Sequence, residues 1–198
     1  NYGIFNLTTT GEWTYTLDNA AVQKMQAGAV RRERFSVSSS KSIAVGLVVI
    51  SIDGVNDAPE LNQSIVVDFP SIREDVVTSF GRRVMYFGRI GVTDVDASSV
   101  GGLAITNLSH TSSGTWQQTT DGGATWKNLP MATTNAALLV ASLGSQARIR
   151  FVPNQDFNGT VSMTFHAWDE SIHQDGDTID LTTPGATGGT TAFSSSSR

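Results

Sequence analysis

Short runs of alternating apolar and polar residues, separated by turn residues, recur along the whole chain. Residues 4–7 and 13–17 flank Thr10-Gly11 and predict a β-hairpin. Residues 19–28 differ, because their apolar positions lie three and four apart and end at Gly28, which predicts one or two helical turns. The other predicted strands cover residues 35–37, 43–52, 65–69, 84–92, 103–108, 115–119, 125–129, 147–152 and 161–168.

Many short strands without helices of crossover length favour antiparallel sheets over a parallel sheet. Residues 135–143 are predicted to form a brief helical or irregular piece. Residues 170–198, rich in Gly, Thr, Ser and Asp, are predicted to be a long loop leading into a truncated last strand. We expect a neighbouring chain, or further sequence, to cover the edge that such a strand leaves open.

Composition supports this fold class and suggests two domains. The 198 residues include 19 Gly and are 39% hydrophobic, which suits short strands with turns rather than disorder. A change in composition at residues 56–60 favours a boundary there, and the first strand begins almost at residue 1. The prediction is an all-β protein of two tandem antiparallel β-sandwich domains: residues 1–57, N-terminally incomplete, and residues 58–198.

Charge and cysteine content exclude several function classes. Thirteen Lys and Arg against 18 Asp and Glu give a net charge of −5, the wrong sign for binding phosphate backbones, so we expect no nucleic-acid partner. No apolar run approaches the ~20 residues of a membrane span, so we expect no membrane insertion. The chain contains no Cys, which rules out disulfides and thiolate metal sites within it.

Carboxylates and one amide follow or precede strand-like runs at several points. Asn56 and Asp57 come between two such runs, Asp94 and Asp96 follow a third, and Asp169 follows a fourth. Ca²⁺ takes six to eight oxygen ligands in adaptable geometry, so these residues predict a calcium site where two domains meet. The alternative is that they are turn and capping residues, a common role of Asp in loops.

A second acidic group lies near the end of the chain. Asp175 and Asp177 flank Gly176, and Asp180 follows. These three carboxylates are candidates for a second metal loop, but an acidic solvated loop explains them equally well.

The remaining motifs favour structural roles. Residues 119–126 match an Asp-box, a hairpin turn of propeller blades, but the motif occurs once and a propeller needs repeats. A simple Asp-Gly-Gly turn, with Trp116 and Trp126 packed on the core side, accounts for it. The three His residues lack metal-ligand spacing, and His166 is expected to be half-buried or exposed.

Two sets of motifs resemble known families. The first part of the chain contains Tyr2-Gly3-Ile4-Phe5, Gly11-Glu12-Trp13-Thr14-Tyr15, Phe35-Ser36-Val37 and Val55-Asn56-Asp57-Ala58-Pro59. These motifs resemble the back part of a VCBS repeat of large bacterial surface proteins. The second part contains Glu74-Asp75, Val92-Thr93-Asp94-Val95-Asp96, Gly114-Thr115-Trp116, Arg150-Phe151-Val152-Pro153, Phe157-Asn158-Gly159-Thr160 and Phe165-His166-Ala167-Trp168-Asp169. These resemble the cadherin-like, immunoglobulin-like domains of bacterial RTX-type adhesins.

The resemblance implies junction calcium bound by Asn56, Asp57, Asp94, Asp96 and Asp169, with Glu74 facing the opposite junction. Two features depart from the families. Residues 38–42 replace the usual acidic, Gly-rich hairpin of VCBS repeats, and Ala58 stands where cadherins often have Asn. Both departures predict fewer calcium ions.

The leading hypothesis is a structural and adhesive repeat module of a large secreted or cell-surface bacterial protein, stiffened by calcium. Its expected partners are neighbouring repeats of the same polypeptide and surface or matrix carbohydrate or protein. An alternative is a carbohydrate-binding module that uses Trp116, Trp126 or Trp168 as a stacking platform. A hydrolase ranks behind both, because the sequence contains no nucleophile elbow, phosphate loop or Cys nucleophile. We therefore expect no enzyme activity.

Overall fold

The computed structural model describes residues 1–39, 45–73, 78–96 and 101–198. This part of the chain contains fifteen β-strands and two short helices, and every strand pair is antiparallel. The protein is therefore all-β, as the sequence predicts. The chain divides into two compact units: a first unit of Asn1–Asn56 and Val95–Ala97, and a second unit of Asp57–Asp94 and Ser98–Arg198.

Two hairpins make up most of the first unit. Strands β1 (Gly3–Leu7) and β2 (Trp13–Leu17) form the predicted first hairpin, closed by a turn in which Gly11 has a φ of 91°. Helix α1 (Asn19–Val22) is a single turn, and the Asp18 carboxylate caps it by accepting a hydrogen bond from the Ala20 N–H. Strands β3 (Val30–Ser38) and β4 (Val45–Asp53) form the second hairpin.

One face of the β3–β4 hairpin packs on the β1–β2 hairpin. The Phe5 and Phe35 rings stack with centroids 4.5 Å apart, and the Tyr15 hydroxyl donates a 2.5 Å hydrogen bond to the Glu33 carboxylate. The other face of β4 carries Val45, Leu47 and Val49, which are 68%, 61% and 47% exposed. In the described part of this unit only two apolar side chains, Met25 and Ile52, are buried.

The second unit contains two larger sheets and one small one. The four-stranded sheet has the order β10 (Lys127–Asn128), β9 (Gly114–Thr119), β12 (Arg148–Pro153), β6 (Arg82–Arg83). The five-stranded sheet has the order β14 (Thr178–Ile179), β11 (Ala137–Val140), β8 (Gly102–Leu108), β13 (Met163–Trp168), β15 (Phe193–Ser197). Strands β5 (Glu60–Leu61) and β7 (Val92–Thr93) pair separately.

The five-stranded sheet is buried on both faces. Leu103, Ile105 and Phe165 join Trp116, Ile149 and Phe151 of the four-stranded sheet in one apolar cluster, together with Phe87. On the opposite face Ala104, Leu139 and Trp168 pack with Phe193, Leu181 and Ala192. Burial on both faces explains why β8 and β11 are almost continuously apolar instead of alternating.

Residues 84–92 were predicted to be a strand, and this prediction is wrong. Helix α2 (Val84–Arg89) occupies most of them. Its buried positions Val84, Phe87 and Gly88 have helical spacing, but the short aromatic run also fits a strand pattern, and period alone does not separate the two. The Arg198 guanidinium donates to the carbonyls of Phe87 (2.9 Å) and Ile90 (2.5 Å). A cation therefore provides hydrogen-bond donors for carbonyl groups at the C-terminal end of the helix.

Other element predictions also need correction. Residues 135–143 contain strand β11 rather than a helical piece, and the described residues between 62 and 81 form no strand, so the strand predicted at 65–69 is absent. Of the strand predicted at residues 125–129, only the two residues of β10 form a strand. Within the predicted C-terminal loop, β14 forms an edge of the sheet, and β15 pairs with β13.

Candidate metal centre

Three predicted ligands, Asp57, Asp94 and Asp169, belong to the second unit, and each lies beside a strand terminus. Asp94 directly follows β7, Asp169 directly follows β13, and two residues separate Asp57 from the start of β5. Strand β5 pairs with β7 so that Glu60 lies opposite Thr93. This register brings the chain before β5 to the same end as the chain after β7.

The segment before β5 and the end of β13 meet at the same place. Pro59, Asp94 and Trp168 line one cavity of about 80 Å³. The Ala58 N–H donates to the carbonyl of Gly189 (2.9 Å), and the Asp169 N–H donates to the carbonyl of Ala192 (3.1 Å), so one short loop holds both segments. Asp57, Asp94 and Asp169 therefore belong to segments that converge at one end of the second unit.

Local contacts already use part of this carboxylate set. Asp169 is only 6% exposed, and its Oδ1 accepts a 2.7 Å hydrogen bond from the Ser171 N–H, which forms a tight turn after β13. Arg89 lines the same cavity as Asp94. A guanidinium at this position lowers the affinity for a cation, so it sets a limit on how tightly the end of the unit can bind calcium.

The other predicted ligands lie elsewhere. Asn56 and Asp96 belong to the first unit, where Asp96 is 9% exposed. Glu74 lies outside the described residues.

The donor chemistry of this set fits Ca²⁺, since carboxylate and amide oxygens on loops are its usual ligands. Within residues 1–39, 45–73, 78–96 and 101–198, no group of three or more His, Asp or Glu side chains is arranged to hold a metal ion. Like-charged carboxylates repel one another until a cation is present, so ligand loops adopt their bound geometry only with the ion. The calcium site stays a prediction.

The C-terminal carboxylates Asp175, Asp177 and Asp180 each have their own protein donors. Asp175 Oδ1 accepts hydrogen bonds from Gln118 Nε2 (2.8 Å) and the Ala141 N–H (2.9 Å). Asp177 accepts from the Gln174 N–H, and Asp180 accepts from the hydroxyl and N–H of Thr182, which lower the pKa of Asp180. These contacts favour the interpretation that the carboxylates fix turns in the loop, and they do not favour a second metal loop.

The Asp-box segment forms a closed turn around Asp121. Its carboxylate accepts hydrogen bonds from the Thr119 hydroxyl (2.6 Å), the Thr125 hydroxyl (2.6 Å) and the Thr125 N–H (2.9 Å). These donors, the Thr119 hydroxyl first, hold the pKa of Asp121 well below its usual range. Gly122 and Gly123 have φ angles of 78° and 110°, which favour glycine. The carboxylate is fully used in shaping the turn.

The tryptophans divide between core and surface. Trp116 and Trp168 are 2% and 1% exposed, so they cannot form a stacking platform for sugar in the folded protein. Trp126 was predicted to pack on the core side; instead it is half-buried on the outer face of the four-stranded sheet, with the Arg150 guanidinium 3.9 Å from its ring centroid. His166 is half-buried, as predicted, and its Nδ1 lies 2.7 Å from the Ser194 carbonyl oxygen.

The hydrolase alternative gains no support from the mostly apolar cavity beside the four-stranded sheet. That cavity, of about 420 Å³, is lined by Phe69, Phe80, Phe151 and other residues. Its described lining includes Arg73 and Arg150 but no Asp, Glu or His that would form an acid–base pair.

Three arginines on the four-stranded sheet were not predicted as a site from the sequence: Arg83, Arg148 and Arg150. A signal was present, because Arg148 and Arg150 alternate with apolar residues in a strand pattern, which places both guanidiniums on one face.

No helix within the described ranges is long and apolar enough to span a membrane. Comparisons of the chain with family models, curated proteins and solved structures return no match.

Proposed function

We propose that this chain is a structural and adhesive module of an extended bacterial surface or secreted protein. In this proposal the chain comprises two tandem cadherin-like or immunoglobulin-like β-sandwich domains, the first incomplete. Calcium at their junction makes the module rigid, bound by Asn56, Asp57, Asp94, Asp96 and Asp169.

One observation carries the proposal: the segments bearing Asp57, Asp94 and Asp169 converge at one end of the second unit. They come from three different strand termini, far apart in sequence. Calcium could draw carboxylates on these neighbouring segments together by neutralising their mutual repulsion, which is the role that the proposal gives it.

The sandwich arrangement draws support from the second unit. Side chains of its four-stranded and five-stranded sheets share one apolar cluster, as two facing sheets require. In the first unit, the exposed row Val45, Leu47 and Val49 is what a domain would show if a further layer normally covered one hairpin face.

The proposed mechanism is mechanical. Without calcium, carboxylates on the linker and on both domains repel one another, and the linker can bend. Calcium neutralises them and holds the segments in one arrangement, with an affinity of ~10⁻⁴ to 10⁻³ M, as in extracellular modules. Such a site fills outside a cell and empties in the cytosol, so the module would stiffen only after export.

A melting experiment tests whether the site exists. Millimolar calcium should raise the melting temperature relative to chelator, and magnesium should do much less because it demands a strict octahedron. Asp94→Asn should reduce the calcium effect, whereas Asp68→Asn, at an exposed position away from the cavity, serves as the matched control. Equal melting temperatures in calcium and chelator would count against the site.

Small-angle X-ray scattering tests the stiffening itself. The distribution of interatomic distances should broaden when chelator removes calcium, while the circular dichroism spectrum stays the same. If a sample shown to bind calcium gives the same distribution in both conditions, the ion stabilises a loop locally and does not set rigidity.

A further inference from the structure

The strands of the second unit's four-stranded sheet carry charge of one sign only. Strands β6, β9, β10 and β12 contain five basic residues and no Asp or Glu: Arg82, Arg83, Lys127, Arg148 and Arg150. The strands of the five-stranded sheet contain no Lys, Arg, Asp or Glu at all. This concentration of cations is unexpected in a chain whose net charge is −5.

Strand register places three of these arginines on the outer face. Arg148 and Arg150 alternate with Ile149 and Phe151, which are buried in the core, so both guanidiniums lie on the side away from it. Arg83 pairs directly with Arg148 and therefore shares its face. We call Arg83, Arg148 and Arg150 the arginine face.

Arg82 lies on the other side of the sheet. It pairs with the buried Ile149, and its guanidinium lies 3.7 Å from the Tyr86 ring centroid.

No ion pair to Arg83, Arg148 or Arg150 is found among residues 1–39, 45–73, 78–96 and 101–198, so the repulsion within the arginine face has no such compensation there. Two like charges directly opposite each other on neighbouring strands destabilise a sheet. Arg148 has only a long 3.5 Å contact to the Phe80 carbonyl, and its buried Nε–H has no hydrogen-bond acceptor. An anion bound at this face would relieve the repulsion between the two paired guanidiniums.

Arg150 is held in place by neutral groups. Its Nε donates to Gln117 Oε1 (2.9 Å), its Nη1 donates to the Ser79 carbonyl (3.0 Å), and its guanidinium stacks on Trp126. Burial lowers the pKa of Arg150, but the guanidinium stays charged at any physiological pH. These partners fix its orientation without neutralising it.

We propose that the arginine face binds an acidic polysaccharide through its carboxylate or sulfate groups. Arginine suits both groups, because its planar fork makes two parallel hydrogen bonds to each. The Gln117 and Asn128 amides, joined by a 2.9 Å hydrogen bond, lie beside Arg150 on the same face and can bind sugar hydroxyls. This proposal does not depend on the calcium site.

The chemistry of the face favours a sugar polymer over other anionic partners. The four strands expose no large apolar side chain, and the exposed Phe80 beside Arg148 is a single apolar neighbour, whereas protein interfaces and membrane surfaces engage several apolar anchors. Nucleic-acid sites usually neutralise more phosphates than three arginines can, and the net charge of −5 opposes a long, densely charged polyanion. A polysaccharide with spaced acidic groups fits a small, polar, cationic face.

The test is calorimetric titration of the full chain with polygalacturonate, which carries carboxylates, and with dextran sulfate, which carries sulfates. Neutral dextran is the control polymer. Chelator is present throughout, so calcium cannot bridge protein and polymer. We expect binding of at least one acidic polymer, weakened by added salt, and no binding of neutral dextran.

Matched variants locate the site. Arg83→Gln/Arg148→Gln should weaken binding about tenfold or more, in line with the loss of charge-assisted hydrogen bonds. Arg32→Gln/Arg34→Gln removes the same charge from exposed positions on β3 and should leave binding unchanged. Both double variants should keep the wild-type circular dichroism spectrum. If the Arg83→Gln/Arg148→Gln spectrum differs from that of the wild-type protein, Arg83→Lys/Arg148→Lys replaces it as the test, because it keeps the charge. Weaker polymer binding by this variant than by the wild-type protein would show that the guanidinium fork matters.

Four results would overturn the proposal: no binding of either acidic polymer, equal weakening by both glutamine variants, or equally tight binding of single-stranded DNA or of polyglutamate. Equal weakening would mean that net charge alone drives binding. Equal affinity for DNA would assign the face to nucleic acid, and equal affinity for polyglutamate would assign it to acidic proteins.

Discussion

The two units have similar alternating strands but bury them very differently. Leu47 on β4 of the first unit is 61% exposed, whereas Leu103 on β8 of the second unit is completely buried. The difference is the number of layers: β8 has apolar side chains on both sides, whereas one face of β4 meets solvent. Alternation predicts that a strand has an apolar face, but another layer decides whether that face is buried.

The largest expected effect on stability comes from truncating one leucine to alanine in each unit. Leu103→Ala should lower the free energy of unfolding by about 2–5 kcal/mol, because it leaves a cavity in a close-packed core. Leu47→Ala should change it by about 0.5 kcal/mol or less, because its side chain is mostly in water already. Urea denaturation monitored by tryptophan fluorescence measures both. Equal losses would show that an unseen layer covers β4.

A pair of glycines sharpens the comparison. A Cβ on Gly88 would lie 2.2 Å from the Gly101 carbonyl oxygen, so Gly88→Ala should force helix α2 away from its backbone neighbour and cost about 1–3 kcal/mol. A Cβ on Gly46 would come nearest to the Val37 side chain, at 3.1 Å, which can move, and would lie at ordinary contact distance, 3.8 Å, from the Val37 carbonyl oxygen. Gly46→Ala should be near neutral. Urea midpoints of both variants check this, and an unaffected Gly88→Ala would contradict the close packing.

Much of the second unit could be predicted from its sequence, because β8, β9, β12 and β13 have strong strand patterns. Helix α2 and strand β11 could not be assigned correctly. Each is a short apolar run buried by distant parts of the chain, and such runs fit helix and strand equally well. The outward position of Trp126 depends on Arg150, 24 residues later, which local pattern does not reveal.

The candidate site was only partly predictable as well. The strand-end positions of Asp57, Asp94 and Asp169 follow from local sequence. The convergence of the segments that bear them depends on the pairing of β5 with β7 and on the loop 189–192, which holds the segments before β5 and after β13. The arginine face likewise depends on the register of β6 with β12, because Arg83 and Arg148 lie opposite each other only in that register.

The stabilisation that the Asp121 turn gives to the second unit should depend on pH in the acidic range. The pKa of Asp121 is lowered by folding, so its ionised form stabilises the protein above the unfolded value of about 4, and this stabilisation is lost as pH falls towards the folded value. Asp121→Asn should therefore have a lower melting temperature than the wild-type protein at pH 7. The difference between the two melting temperatures should become smaller below about pH 4. Asp68→Asn is the control. A melting-temperature difference that does not depend on pH would mean that the charge of the Asp121 carboxylate does not stabilise the protein.

The smallest expected effect is spectroscopic and lies in the first unit. Burial, followed by the hydrogen bond to Glu33, raises the pKa of Tyr15 to about 12. Alkaline titration of tyrosine absorbance should show one late-ionising group, and Tyr15→Phe should remove it. The neutral hydroxyl contributes stability below the unfolded pKa of about 10, and this contribution is lost as pH rises through about 12. Glu33→Gln should move the titration to lower pH.

The central claim is that calcium binds at the end of the second unit where the segments bearing Asp57, Asp94 and Asp169 converge. Calorimetric titration of the chelator-treated protein with calcium tests it most directly. The account predicts saturable binding at ~10⁻⁴ to 10⁻³ M, weakened in Asp169→Asn and retained in Asp180→Asn, whose carboxylate is already bonded to Thr182. No binding by the wild-type protein, or equal weakening in both variants, would contradict the claim.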